Sequence, residues 1–375
     1  GRPLKLVSVG LPCAERVQLP ALCRTLCAEV RAVQPGISLS LTSEDELDRV
    51  DQVESAGHFR VEELQLRANL QMHSVMAFAQ CTKMQVLHLD RCEHLTDIRL
   101  LGDFAELRVL RLFGCEQLAD LRPIACCKQL VSLALSEMDL IDNLTALLGC
   151  VALEYLEMTQ CCNLCDISTL QSLPLLRRVT LSNCATLTEI SPLKSCMELE
   201  ELDISYNSMF DDITPLGHCS KMREIDLSGS RKLQNLTALA GCANLQTLHL
   251  TRCAQLVDIS SLALCASLEA LALARCAQLS DISALAGCTK LKVLNLSRCM
   301  RLADVSPLAS CACLKEIYVS WCHELADVSP LAGCARLQIL DISRCQRITD
   351  VSALAKCASL RLLNLAGCRN LDSVT

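Results

Sequence analysis

From Met84 onward the chain repeats itself every 23 residues, without a slip, to its last residue, Thr375. With the Leu or Met at 84, 107, 130 and onward to 360 as position one, thirteen turns follow L-x-x-L-x-L-x-x-C-x-x-L-x-D-I-S-x-L-A-x-C-x-x. One full copy is LKVLNLSRCMRLADVSPLASCAC, Leu291 to Cys313. A degenerate copy upstream, VEELQLRANL, sets Asn69 one step before Cys92 and predicts a fourteenth strand. A unit this short cannot bury a core alone, so it must stack on its neighbours and share one. That removes the two or three separate domains that 375 residues would otherwise suggest.

Each position has a physical reading. The L-x-L centre alternates with period two, which predicts a short parallel strand with one side chain in the core and the next outside. Position nine takes Cys or Asn, residues that can hydrogen-bond backbone left open where the chain leaves the sheet. Asn207 stands there in one copy, while Met138 and Ser230 depart from the pattern. The D-I-S-P-L stretch predicts a tight turn in which Asp accepts nearby N–H groups. Ser is expected to cap a short helical segment, with Pro192, Pro215, Pro307 and Pro330 at its first position. A row of ten acids at position fourteen, from Asp97 to Asp350, could hold cations, but the turn role is the stronger reading.

The core must be filled without rings, because the chain has one Trp, three Tyr and five Phe against 51% hydrophobic residues. Cysteine takes much of that burden. Of 28 cysteines, ten fall on a ladder at position nine from Cys92 to Cys368, and eleven on a second from Cys81 to Cys357. Single cysteines at this period read as small buried hydrophobes with a weak donor, and so many thiols favour a reducing, intracellular compartment. Off the ladders lie Cys126 and Cys313, read as packing residues, and Cys162 and Cys165 with C-x-x-C spacing. No second pair completes a zinc set, so no metal is expected.

These motifs resemble the leucine-rich repeat superfamily over residues 61–375. The cysteine-containing half looks like the repeats of F-box proteins, and the D-I-S-P-L-A half like bacterial internalins and the regulatory subunit of protein phosphatase one. The combination, as in LDISRCQRITDVSALAKCASL, most resembles the leucine-rich repeat proteins of trypanosomatid parasites. The resemblance implies an α/β solenoid, a right-handed superhelix with a concave parallel β-sheet and short helical or 3₁₀ turns on the convex side. It also implies interaction roles, and the trypanosomatid likeness would suit a cytoskeletal or flagellar setting.

The ends read differently. In residues 1–60, Leu4 to Val9 alternates like a strand, and Leu19, Leu22, Leu26, Val30 and Val33 recur at helical spacing before Pro35 and Gly36. Ile37 to Leu41 reads as a second strand, so 1–60 is expected to be a β-α-β capping region. An F-box-like element there is disfavoured by its shortness and lack of Trp. The first residues, GRPLKLVSVG, lack a signal-peptide pattern, and the absence of Met suggests a fragment. Solenoid residues 61–375 end part-way through a repeat with no evident C-terminal cap, which would leave apolar side chains exposed.

Function is sought on the outward strand positions three, five, seven and eight. All three tyrosines and the only tryptophan fall there: Tyr155 at three, Tyr318 at five, Tyr206 and Trp321 at eight. Position eight also carries Arg252, Arg275, Arg298 and Arg344, with Trp321 between the last two. Strands about 4.8 Å apart would stack these into one stripe, whose repulsion calls for interleaved acids or a partner. Glu316, Asp341 and His249 are near enough by column to take part. Trp, Tyr and Arg dominate interface energetics, so Arg298, Tyr318, Trp321, Arg344 and Asp341 form the leading candidate site, for an acidic or aromatic-rich protein segment. The alternative is cation–π packing of a solvated face.

No catalytic constellation is present: no G-x-S-x-G, no Gly-rich phosphate loop, no H-E-x-x-H. Catalytic residues and cofactors are therefore read as none. A net charge of −7 without a dense basic run argues against nucleic acid, and no apolar run approaches the roughly 18 residues of a membrane span. The expectation is a non-enzymatic scaffold or adaptor in a larger intracellular, cytoplasmic or cytoskeleton-associated assembly. The alternatives are a regulatory or substrate-recognition subunit (phosphatase-regulator-like or F-box-like) and a surface recognition protein of internalin type.

Overall fold

The repeat folds as strand, turn, 3₁₀ helix, turn. The computed structural model describes residues 37–41, 61–67, 72–79 and 81–371. It forms two compact units, Gly1–Cys161 and Cys162–Thr375. In the first, β1 (Ile37–Leu41), β2 (Val61–Arg67), β3 (Val86–Asp90), β4 (Val109–Phe113), β5 (Ser132–Ser136) and β6 (Tyr155–Glu157) pair in chain order, all parallel. In the second, the same holds for β7 (Arg178–Thr180), β8 (Glu201–Asp203), β9 (Glu224–Asp226), β10 (Thr247–His249) and β11 (Ala270–Ala272), then β12 (Val293–Asn295), β13 (Glu316–Tyr318), β14 (Ile339–Asp341) and β15 (Leu362–Asn364). Register is strict: Thr247 faces Ala270, which faces Val293, which faces Glu316.

Burial follows the alternation. In β12, Leu294 is buried between half-exposed Val293 and Asn295. Leu87, Leu110, Leu248, Leu294 and Leu340 are all inaccessible, as are Val179, Ile225 and Ile317 at the same position, so within each unit the core is a continuous aliphatic column, mostly leucine. At the last turn this changes: Leu363, Leu365 and Cys368 are only half-buried.

The two cysteine ladders are also hydrogen-bond ladders. At position nine, the thiols from Cys253 to Cys368 reach the position-six carbonyl of the turn before, as in Cys276 Sγ to Leu250 O and Cys299 Sγ to Leu273 O, both 3.2 Å. At position twenty-one, each reaches the position-eighteen carbonyl of the turn before, as in Cys288 Sγ to Leu262 O at 3.3 Å. Asn207 does the same with Nδ2, donating to Leu181 O at 2.6 Å and Ile204 O at 3.1 Å. Its Oδ1 is left without a partner, as is the Ser230 hydroxyl beside it in the column. Sulfhydryl donors suit this place because they tie the layers together and leave no second polar atom buried.

Most helical segments are five-residue 3₁₀ turns such as Ser283–Gly287 and Ser306–Ser310. Here one sequence expectation is corrected. In the D-I-S-type turns Ser does not cap: the preceding Ile, Val or Leu is the cap residue, and it offers no side-chain bond. Asp two residues upstream does the work, as where Asp281 Oδ1 accepts the Ser283 N–H at 2.7 Å and Asp304 Oδ1 the Ser306 N–H at 2.7 Å. Proline accordingly sits second in the turn, after Ser, and not first. The acidic row is thus a row of turn formers.

The strand Leu4–Val9 and the helix over 19–33 lie outside the described residues. Of the proposed 1–60 cap, only β1 is described, parallel to β2. No helix among the described residues is long and apolar enough to cross a membrane.

Candidate functional site

Immediately after each strand the chain must swing away from the sheet, and position eight is where it does so. Every position-eight residue from Arg91 to Gly367 has positive φ. Three are glycine: Gly114, Gly229 and Gly367. The rest are side-chain-bearing, among them Tyr206 (φ 59), Arg252 (φ 68), Arg275 (φ 66), Arg298 (φ 64), Trp321 (φ 62) and Arg344 (φ 62). A left-handed residue with a Cβ costs about 1–2 kcal/mol relative to the ordinary helical region. The glycines show that the turn itself needs no side chain there. Large residues held against that cost point to a use outside the fold.

The side chains lie along the column. Arg344 packs over Gly367, where an added Cβ would come within 2.7 Å of its Cδ, and Tyr206 packs over Gly229 at 3.0 Å. Trp321 is enclosed. Arg298 and Arg344 each place their guanidinium carbon 5.1 Å from its ring centroid, giving an Arg–Trp–Arg stack. His323 closes one edge, 5.9 Å away and steeply tilted, with its Nδ1 buried and unpartnered.

The expected acids do not neutralise this row. Asp341 turns its carboxylate back to its own chain, accepting the Ser343 N–H at 2.9 Å. Glu316 accepts the Tyr318 hydroxyl at 2.9 Å, and burial with that carboxylate raises the phenol above its usual value. Among the described residues, no ion pair involves Arg252, Arg275, Arg298 or Arg344. Some arginines elsewhere are paired, as Arg111 is with Asp90 at 2.9 Å and Arg122 with Asp120 at 2.8 Å, while Arg91, Arg231, Arg301 and Arg336 also lack an ion pair among the described residues. The structure therefore brings together Arg298, Trp321 and Arg344, with Tyr318 and Asp341 on β13 and β14 nearby. Arg252 and Arg275 continue the column. Tyr206 lies five turns earlier, half-exposed. Tyr155 belongs to the first unit, exposed on β6.

One feature escaped the sequence reading. On β7–β10 the outward residues Arg178, Thr180, Glu201, Asp203, Glu224, Asp226 and His249 line a shallow depression of about 300 Å³. Four of its members are carboxylates, and Arg178 pairs with Glu201. The signal was available, because positions three and five are acidic in two successive turns. Among the described residues no cluster of His, Cys, Asp or Glu could hold a metal ion.

Most ladder thiols are chemically quiet, Cys92 excepted, whose value a hydrogen bond from Cys115 lowers. Burial pushes Cys196, Cys253, Cys288 and Cys299 up to about 12, far from the thiolate that reactivity requires.

No protein-family model matches the sequence, and no curated protein is detectably similar to it. Solved structures are similar. An internalin of Listeria monocytogenes superposes with TM-score 0.65 at 20% identity, over 92% of this chain and 93% of that one. A leucine-rich repeat protein of Leptospira interrogans gives 0.61 at 16%, over 88% and 94%. TLR13 in its complex with ssRNA13 gives 0.63 at 17%, over 92% of this chain and 55% of that one. The fold is a leucine-rich repeat solenoid. The position-eight column and the acidic depression lie along the parallel strands of its second unit.

Proposed function

We propose that this chain is a protein-interaction scaffold or adaptor that holds its partner on the concave face of the second unit. One observation carries the reading. Four arginines without carboxylate partners, in the turns of β10, β11, β12 and β14, are kept on strained backbone in one column of a protein whose net charge is −7. Unpaired cations on a rigid sheet are pre-oriented, which lowers the ordering cost of binding and favours anionic surfaces. A place within a larger assembly in a reducing compartment fits the same reading, because the interior is held by neutral thiols that oxidation would remove as donors.

The test is co-purification or proximity labelling in the cell that makes this protein, comparing wild type with the pair Arg298→Glu and Arg344→Glu. The main partner should be lost while the melting temperature stays unchanged, since neither side chain is in the core. A partner retained by the double variant overturns the reading.

A further inference from the structure

Resting on that reading, we propose that the occupant of the position-eight column is a short acidic protein segment, about six residues long when extended. In this assignment Trp321 is a positioning residue and not a contact for the partner.

The backbone beside the column has nothing to offer a ligand. The N–H of Arg252 donates to Ala274 O, that of Arg275 to Ser297 O, that of Arg298 to Ser320 O, and that of Trp321 to Ser343 O, at 2.7–2.8 Å. Each turn's donor is used by the next turn, so strand addition is closed and recognition must come from side chains.

The side chains then select for charge over rings. Both faces of the Trp321 indole are covered by guanidinium groups, so no aromatic group of a partner can stack on it. The Tyr318 hydroxyl is already committed to Glu316. What remains available is N–H donors on arginines that have no carboxylate. Between Arg298 and Arg344 the flat indole acts as a spacer. It holds two like charges apart and parallel, where without it they would splay into solvent.

The extent of the site is bounded by its neighbours. Arginine or tryptophan occupies position eight in five successive turns, those of β10 to β14. Four strand steps of about 4.8 Å give about 19 Å, which an extended chain at about 3.3 Å per residue covers with about six residues. On one side the column ends at Gly367. On the other it meets Gly229, and the sheet beside that carries Glu201, Asp203, Glu224 and Asp226. A longer polyanion would have to cross those carboxylates, so a nucleic acid strand is disfavoured and a short acidic stretch is not.

The experiment is fluorescence anisotropy on the full chain with a labelled hexapeptide of Glu and Asp, its Gln and Asn counterpart, a dodecapeptide of the acidic composition, and a twenty-residue oligouridylate. The acidic hexapeptide should bind at least tenfold more tightly than its amide counterpart, and doubling its length should change affinity by less than about threefold. Because Trp321 is the only tryptophan, its emission should shift and saturate with the same midpoint. Trp321→Ala should weaken the peptide about tenfold with unchanged melting temperature, and Trp321→Phe should recover most of it. Tighter binding of oligouridylate than of either acidic peptide overturns the assignment in favour of a nucleic acid face. Wild-type affinity in Trp321→Ala overturns the positioning role. If the peptides fail while Arg298→Glu with Arg344→Glu still loses the cellular partner, only the acidic-segment assignment falls. If that partner is kept, the scaffold reading falls as well.

Discussion

Positions eight and nine are neighbours in every turn and behave as opposites. From Cys253 to Cys345 position nine is uniform, inaccessible and satisfied: Cys253, Cys276, Cys299, Cys322 and Cys345 each donate into the layer before. Position eight is variable, outward-facing and strained, and its arginines donate to no carboxylate. The difference teaches where each kind of constraint acts. A thiol inside a stacked layer answers to the layers on either side, so the same residue recurs. A residue one step earlier answers only to its own backbone, which would be content with glycine, and its identity is free to be set by something outside the chain.

The largest test of this contrast is pH. Burial holds the ladder thiols up to about 12 at Cys253 and Cys299, against an ordinary value of 9.0 that the unfolded chain should regain. A group whose value is raised on folding stabilises fully below its unfolded value, and that stabilisation is lost as pH climbs toward the folded one. Each thiol so raised can therefore remove up to about 1.4 kcal/mol per pH unit above pH 9. Summed over the ladders, urea midpoints should fall steeply between pH 8.5 and 10.5. A flat profile would mean that the thiols are not the neutral donors described.

A single rung should cost less. Cys299→Ala removes the bond to Leu273 O and leaves a small void, so unfolding free energy should drop by about 1–3 kcal/mol. Asn207→Cys should be near neutral or stabilising, because it removes an unpartnered buried oxygen while keeping a donor at the same place. If Asn207→Cys is as damaging as Cys299→Ala, the two residues are not interchangeable parts of one ladder.

The smallest effect on stability should come from position eight. Arg298→Gly relieves left-handed strain but loosens the unfolded chain, so denaturation midpoints should move by no more than about 1 kcal/mol in either direction. Affinity for the acidic hexapeptide should nonetheless fall. A substantial loss of stability would place Arg298 in the structural half of the comparison.

Much of this was readable before any coordinates. The turn length, the in–out alternation of Leu294 with its neighbours, and the bond made by Asp281 are local or strictly periodic, and periodicity is visible in a sequence. Ser and Asp compete for the same N–H, and the two-residue spacing that gives it to Asp281 is decided only in the folded turn. The left-handed backbone at position eight was marked only by Gly114, Gly229 and Gly367, and the arginines that share it hid the sign.

By itself the sequence determined the stacked fold, the burial of cysteine at two fixed places in each turn, and the column that gathers Arg298, Trp321 and Arg344. The reason is that a 23-residue period aligns equal positions whatever their side chains do. Only the tertiary structure decided how that column is used. Whether an arginine meets a carboxylate or an indole depends on directions that composition and spacing leave open. Here Asp341 and Glu316 are drawn to nearer donors, on Ser343 and Tyr318, and the guanidinium groups close over Trp321 instead.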